Sequence, residues 1–329
     1  MSNLPFSSPL GVNYSNTFQS APISDATAAA DITSACIQTV KMFNYTQTSF
    51  FAQAAAGGFK VIPAISNDEL AGLANGTSAT SIVKALSPYA DQIAAIMVGN
   101  EPLINAPDTY GPLLKDALNN LNDALNTASL SIKLSVPFNS GIEAIPSWPP
   151  SVGQFQPTLT TYLKDVCAFL KKTGSFFTIN IYPYYAHIGN PTDVPLPYCL
   201  FTNTKPQFTD SNTNLPYYNI FDAQYDATYF ALKALGYDLP LVVGECGWPT
   251  AGGMNASVDN ATAFNQNLID HIKKGKGSPA VPSSSLTTFL FEMYDEDLKN
   301  TAPGLFEKSW GWYESDGSGK YSSKYKLTW

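Results

Sequence analysis

Short runs of apolar residues alternate along the chain with longer stretches in which apolar residues recur every three or four positions. Eight runs read as strands: residues 9–15, 40–45, 60–66, 93–101, 132–139, 176–185, 240–249 and 286–296. Several are apolar nearly throughout rather than at every second position, as in strands buried on both faces of a parallel sheet. The stretches between them carry the helical period. One opens at Ser24, read as an N-cap, and reaches about Thr39; the others are 46–56, 78–90, 108–128, 159–172, 221–235 and 260–274. In 108–128 the residues Leu113, Leu114, Ala117, Leu118, Leu121 and Leu125 lie on one face behind Asp108, read as the cap. Gly57, Gly174, Gly236 and Gly275 stand just past helix ends, where a left-handed C-cap favours glycine.

Strand and helix alternating in this way predict an α/β fold, a (β/α)8 TIM barrel formed as a single domain by residues 1–329. A doubly wound open sheet is the rival, but no G-x-G-x-x-G and no P-loop opens any helix. Residues 183–220 hold many prolines and no helical period, and read as a long functional loop. Residues 309–329, rich in Trp, Tyr, Gly and Ser, are expected to cap or line one end.

Charge narrows the partners. The net charge is −8 and all 18 basic residues are lysines, so no guanidinium is available for bidentate phosphate recognition. Nucleic acid is therefore not an expected partner, and a neutral ligand fits better. Eighteen Tyr and 19 Phe supply rings that can stack on sugars, although most are expected to fill the core. Cys36, Cys167, Cys199 and Cys246 lack metal-ligand spacing, and only His187 and His271 could complete a site. No metal and no cofactor is expected; one disulfide is possible. No apolar run is long enough to span a membrane. Residues 1–10 lack the charged and apolar regions of a signal peptide, while Asn75-Gly-Thr77, Asn255-Ala-Ser257 and Asn260-Ala-Thr262 are glycosylation sequons. The expectation is a secreted or cell-wall monomer whose signal peptide lies outside this sequence.

Chemistry concentrates where strands end. The run L-P-L-V-V-G-E-C-G-W-P-T, residues 239–250, places Glu245 at the end of an apolar strand, where propensity gives a carboxylate no reason to be. Glu101 closes I-A-A-I-M-V-G-N-E in the same way. As the ends of strands 4 and 7 of an eight-membered ring, the two face each other across the barrel mouth. Two facing carboxylates among aromatic rings suit glycoside cleavage: one must stay protonated for the leaving oxygen, the other ionised to attack or to activate water. The competing reading of each glutamate is a buried ion pair with a lysine. Other strand-end candidates for substrate contact are Asn13, Tyr14, Phe43, Tyr45, Asn100, Asn139, Asn180, Tyr182, Tyr184, Trp248, Glu292, Tyr294 and Glu296, with Lys299 just beyond. Asn100 is placed to hydrogen-bond a sugar 2-hydroxyl. Asp222 and Asp226 read as starting a helix, His271 as a helix C-terminal residue, and His187 as a loop residue within reach of substrate. Cys246 alternates away from Glu245 and reads as packing.

These residues carry a resemblance. Gly11-Val12-Asn13-Tyr14, V-G-N-E-P ending at Pro102, N-I-Y-P-Y-Y from Asn180, Y-N-I-F-D-A from Tyr218, V-V-G-E-C-G-W-P-T and F-E-M-Y-D-E-D-L-K from Phe291 follow one another as in glycoside hydrolase family 17. The family's members act on β-1,3-linked glucans. The resemblance implies that Glu101 is the acid/base and Glu245 the nucleophile of a retaining double displacement. It also implies that Asn180, Tyr182, Glu292, Glu296 and Lys299 surround the cleaved bond. Plant members carry M-R-I-Y-D where this chain reads K-M-F-N-Y, with Lys41 and Phe43. The F-E-M-Y-D-E-D-L-K form is similar to fungal cell-wall members, several of which transfer glucan chains. Expected, then, is a β-1,3-glucanosyltransferase using β-1,3-glucan as donor and acceptor, with Tyr182, Tyr184, Tyr185 and Trp312 as an acceptor platform. A purely hydrolytic endo-β-1,3-glucanase is the alternative, and a non-catalytic glucan-binding wall protein is the reading from another class. A metal hydrolase lacks ligands here, and a Schiff-base aldolase lacks a lysine at a strand end other than Lys299.

Overall fold

The structure is a computed structural model that describes residues 4–143 and 148–321. Its strands, in chain order, are β1 (Leu10–Tyr14), β2 (Thr39–Met42), β3 (Lys60–Ile62), β4 (Ala64–Ile65), β5 (Ala95–Val98), β6 (Lys133–Ser135), β7 (Pro137–Asn139), β8 (Phe177–Asn180), β9 (Phe208–Thr209), β10 (Pro216–Tyr217), β11 (Leu241–Cys246) and β12 (Thr288–Leu290). All but the small hairpin β9–β10 are parallel to their neighbours. A curled seven-stranded sheet runs β3-β2-β1-β12-β11-β8-β7, and a three-stranded sheet runs β4-β5-β6. The two share their edges. β3 and β4 belong to one extended run interrupted at Pro63, and β6 and β7 to another interrupted at Val136. Hydrogen bonds from Ala94 N to Val61 O and from Met97 N to Pro63 O, each 2.9 Å, carry the ladder through the first interruption.

Helices lie between the strands: α1 (Asp25–Ser34), α2 (Thr48–Gly57), α3 (Leu70–Ala74), α4 (Ala79–Leu86), α5 (Pro102–Asn105), α6 (Pro107–Thr127), α7 (Thr160–Thr173), α8 (Pro183–Gly189), α9 (Leu196–Cys199), α10 (Ile220–Leu235) and α11 (Val258–Lys273). On α6 the predicted face is buried at Leu114, Ala117, Leu118, Leu121 and Leu125, with Leu113 half-buried. This burial of an apolar stripe, rather than propensity, makes most of the helix's stability. Ser24, Asn219 and Ser257 cap α1, α10 and α11 through their side chains. Gly174 and Gly236 take left-handed φ at the C-caps of α7 and α10.

Several expectations are corrected. Asp108 is not the cap of α6: Ala106 stands there and Asp108 lies in the first turn. The left-handed cap of α2 is Gly58, not Gly57. The stretch 183–220 is not a plain loop; it folds as α8, α9 and the β9–β10 hairpin, elements too short for periodicity to reveal. Asn219 caps α10, while Asp222 pairs with His271 Nε2 at 2.9 Å and Asp226 is buried inside. All four cysteines are free, three of them buried. Of the C-terminal stretch, 322–329 lie outside the described residues.

Most buried apolar side chains form one cluster between the sheet and the helices. A smaller one, Ile62, Ala64, Ala95, Met97, Phe176, Val242 and Phe289, is sealed by Phe6, which meets Phe176 and Phe289 edge-on at 5.3 and 5.6 Å. The polar residues at the other ends of the strands open into a cleft.

Candidate active site

The end of β11 holds Glu245 where the strand is buried throughout. Lys41, in the middle of β2, is completely buried; its Nζ lies 2.9 Å from Glu245 Oε1 and 3.1 Å from Asn13 Oδ1. The ammonium also sits 3.9 Å from the centre of the Phe43 ring. Asn13 is fixed in turn, donating from Nδ2 to the carbonyls of Gly244, Phe289 and Leu290 at 3.1–3.3 Å. Tyr182 donates to the other oxygen, Glu245 Oε2, at 2.7 Å. Both oxygens of the Glu245 carboxyl thus have a donor, one an ammonium and one a phenol.

Glu101 follows β5 with left-handed φ of 48°, a conformation that costs a non-glycine residue on the order of 1 kcal/mol. The loop before it is braced by Asn67, whose Oδ1 accepts from Asn100 N at 2.9 Å and whose Nδ2 donates to Asn100 O at 2.8 Å. Gly99, at φ 77°, is required there: a Cβ would fall 2.7 Å from Asn67 Oδ1. Asn180 and Asn139 both donate to Glu101 Oε1, at 2.7 and 3.1 Å. Burial, reinforced by the negative charge of Glu245, holds the Glu101 carboxyl above the ordinary range, against those two donors and Lys41. With Oε1 occupied as an acceptor, the proton belongs on Oε2. One cleft therefore holds two carboxyl groups in unlike surroundings, one paired with an ammonium and one whose acid form is favoured by burial, a contrast of the kind that glycoside cleavage needs.

The cleft has a volume of about 1200 Å³. Of the expected contacts, Phe43, Asn100, Glu101, Asn139, Tyr182, Glu245, Glu296 and Lys299 line it. Asn180 reaches it only through Glu101, and Asn13 only through Lys41. Tyr45 stands at the edge, its hydroxyl given to Glu69 Oε1 at 2.8 Å. Lys299 pairs with Glu296 at 2.9 Å and lies 4.5 Å from the Phe291 ring centre. Burial opposes its charge, but Glu292 and Glu296 outweigh burial and hold the ammonium above the ordinary lysine range. Glu292 itself is buried beneath the wall, and burial next to Glu296 pushes its carboxyl well up.

Five expected contacts are corrected to core positions. Tyr14 packs on Phe50 and Tyr294. Tyr294 gives its hydroxyl to Asp31 at 2.6 Å. Trp248 is fully buried against Tyr184, His187 and Phe264, and its Nε1 donates to Asn255 O at 3.0 Å. Tyr184 is walled in by Trp248, Phe306 and Trp310. Trp312 is buried away from the cleft lining. In each case an aromatic near a strand end turns into the layer behind the site, because a large ring gains more by full burial than by facing water. His187 is likewise structural, between Val194 O at 2.7 Å and Asn255 Nδ2 at 2.8 Å.

The cleft also uses residues that the strand-end pattern did not single out: Lys41, Glu69, Glu143, Glu307 and Trp310. Lys41 left a signal, a lone charge inside the apolar run T-V-K-M. Glu143 accepts from Thr228 Oγ1 at 2.5 Å, and burial, opposed by that bond, pushes it up to about 7. Glu307 accepts from the Tyr185 hydroxyl. A second cavity of about 620 Å³ adjoins the cleft at Glu143, Ala186 and Gln224. Among the described residues no group of three or more His, Cys, Asp and Glu is arranged to hold a metal ion.

Comparison with known proteins gives consistent likenesses. Residues 10–325 match the model of glycosyl hydrolases family 17. The chain is 35% identical over 326 residues to glucan endo-1,3-beta-glucosidase 3 of Arabidopsis thaliana, covering 95% of this chain and 64% of the relative. It is 37% identical over 321 residues to glucan endo-1,3-beta-D-glucosidase of Olea europaea, covering 95% and 69%. The chain thus spans about two thirds of the length of these relatives. Among solved structures it superposes on CJP38, a beta-1,3-glucanase and allergen of Cryptomeria japonica pollen, with a TM-score of 0.88 at 32% identity, covering 97% of this chain and 99% of that one. One of two plant beta-glucan endohydrolases with distinct substrate specificities gives a TM-score of 0.86 at 30% identity, covering 95% and 99%.

Proposed function

The chain belongs to glycosyl hydrolases family 17, and on that premise we propose that it is an endo-β-1,3-glucanase working by retaining double displacement. The observation that carries this reading is the contrast between the surroundings of the two carboxyl groups of the cleft: Glu245 lies 2.9 Å from the buried Lys41 ammonium, whereas burial raises Glu101 above the ordinary carboxyl range. Glu245 attacks the anomeric carbon while Glu101 passes its proton to the leaving glycosidic oxygen, so the C–O bond breaks as the ester to Glu245 forms. Glu101, now ionised, takes a proton from water, whose oxygen displaces Glu245 and restores both groups. Tyr182 and Lys41 orient the nucleophile, and Asn139 and Asn180 orient the acid. Glu296 and Lys299 lie where sugar hydroxyls would meet them.

On this reading the eight extended runs form one (β/α)8 catalytic domain, closed through Pro63 and Val136, with Glu101 and Glu245 after strands 4 and 7. The substrate is β-1,3-glucan, and the protein works outside the cell or in a cell wall; no described helix is long and apolar enough to cross a membrane. The fungal-type transferase expected from F-E-M-Y-D-E-D-L-K becomes the second reading, because the curated relatives quoted above are plant proteins named as hydrolases. Tyr182, Tyr185 and Trp310 in the cleft wall are what favour it, as rings that could hold a sugar acceptor in place of water. Early products of a laminari-oligosaccharide decide. Shorter products whose new anomer is β by proton NMR support the retaining hydrolase, and longer products establish transfer. An α anomer overturns retention, and the absence of products favours the glucan-binding protein.

A further inference from the structure

The loop after β1 and the loop after β12 both contribute to the cleft wall, and the first carries an aromatic ring that stays half-exposed. Phe18 lines the same cavity as Glu101 and Glu245, together with Thr17, Lys299 and Pro303. Its side chain is 46% exposed, and among the described residues no aromatic ring packs against it. Loops with exposed apolar side chains are ordinarily free to move, but this one is strapped. Phe18 O accepts from Leu298 N at 2.9 Å, and Ser20 binds Asp297 twice, through its N at 2.9 Å and its Oγ at 2.5 Å. Asp297 is anchored from the other side, its carbonyl accepting from Lys308 Nζ at 2.7 Å. The ring is thus held at a fixed place on the rim, wet on one side and continuous with the cleft on the other.

We propose that Phe18 is a platform for a glucosyl residue of the substrate chain beyond the sugar that Glu296 and Lys299 meet. The pyranose ring offers an apolar face of C–H groups, and a fixed aromatic ring buries that face at little entropic cost. Thr17, next to Phe18 in the chain, and Lys299 line the same cleft and supply polar groups for sugar hydroxyls. A remote contact of this kind acts only on chains long enough to reach it, and its binding energy serves the reacting centre. Phe18 is therefore a determinant of preference for longer chains. The inference rests on the β-glucan reading above.

The test is kcat/KM over a ladder of laminari-oligosaccharides of increasing length, for the intact protein, Phe18→Ala and Phe18→Trp. Stacking of this kind changes affinity by about three- to tenfold. The expected result is such a loss in Phe18→Ala for long oligosaccharides only, with the shortest cleaved ones unaffected, and retention of the length preference in Phe18→Trp. A loss equal at every length, or none at any, overturns the platform while leaving the enzyme reading intact. An intact protein that neither cleaves nor binds any β-1,3-oligosaccharide overturns both.

Discussion

Lys41 is the charged partner of Glu245, the proposed nucleophile. It is fully buried and spends its charge on Glu245 Oε1 and Asn13 Oδ1. Removing one partner of a buried pair leaves the other charge uncompensated, which costs about 3–5 kcal/mol. Lys41→Met should therefore lower the stability in denaturant by that order as well as the turnover. Adding Glu245→Gln should restore much of the lost stability, because the stranded charge goes with it. Additive effects in that double-mutant cycle would count against the coupling. Glu101 makes the complementary case. Burial first, and the charge of Glu245 second, raise its carboxyl, so the acid form is present at low pH and is lost as pH rises through the raised value. The alkaline limb of the rate profile should follow that loss. In Glu245→Gln the Glu101 carboxyl, followed by NMR, should titrate lower than in the intact protein; an unmoved titration would show that the two groups do not sense each other. Glu245 and Glu101 were legible in the sequence because a carboxylate closing an apolar strand is expensive without a use. Lys41 as the partner was not, since the two residues lie 204 positions apart and only the curl of the sheet brings them together.

At the scale of the element, strand ends work as assemblies in which backbone spacing fixes side-chain geometry. Gly244, one residue before Glu245, shows how tight this is: a Cβ there would lie 2.7 Å from both Asn180 Oδ1 and Thr178 Cγ2 on the neighbouring strand β8. Asn180 is the 2.7 Å donor to Glu101. Gly244→Ala should thus act on the proposed acid through its neighbour, lowering turnover by about 10²-fold, as a displacement near 1 Å does, with a stability cost of about 1–3 kcal/mol. Unfolding and steady-state kinetics separate the two, and unchanged turnover would mean that Asn180 is not needed to place Glu101. Periodicity located strands and long helices because one buried face repeats. It missed α3, α5, α8 and α9, which are a single turn or two, and it could not separate aromatic rings that face the cleft from those behind it. Tyr182 and Tyr184 illustrate the difficulty. They are two residues apart, and the strand they were assigned to gives way to α8 at Pro183, so one ring meets Glu245 and the other the core.

Across the whole molecule, acids buried outside the cleft give stability its own pH dependence. Asp226 accepts from Tyr217 at 2.8 Å and Ala280 N at 2.9 Å on Oδ2, and from Ser278 on Oδ1; burial, against these bonds, raises it to about 7. Glu143, in the cleft wall, is likewise raised to about 7. A folded-state value above the unfolded one means stability that is complete below the unfolded value and is lost as pH rises through the folded one. Asp226 alone should remove roughly 2 kcal/mol between pH 5 and 8. Asp226→Asn keeps the neutral form's pattern, with its amide donating to Ser278, and should flatten that slope in denaturant titrations at the two pH values; an equal slope in both proteins would assign the loss to other groups. The sequence by itself determined the alternation of strand and helix, the two carboxylates that end apolar strands, and the motifs that mark the family, because each is a local pattern with a local physical cause. Tertiary structure alone decided which groups contact each carboxylate and which aromatics, Phe18 among them, face the cleft. Those depend on distances between residues far apart in the chain, and such distances follow from how the sheet curls and how the loops are strapped, which no local pattern of hydrophobic and polar positions records.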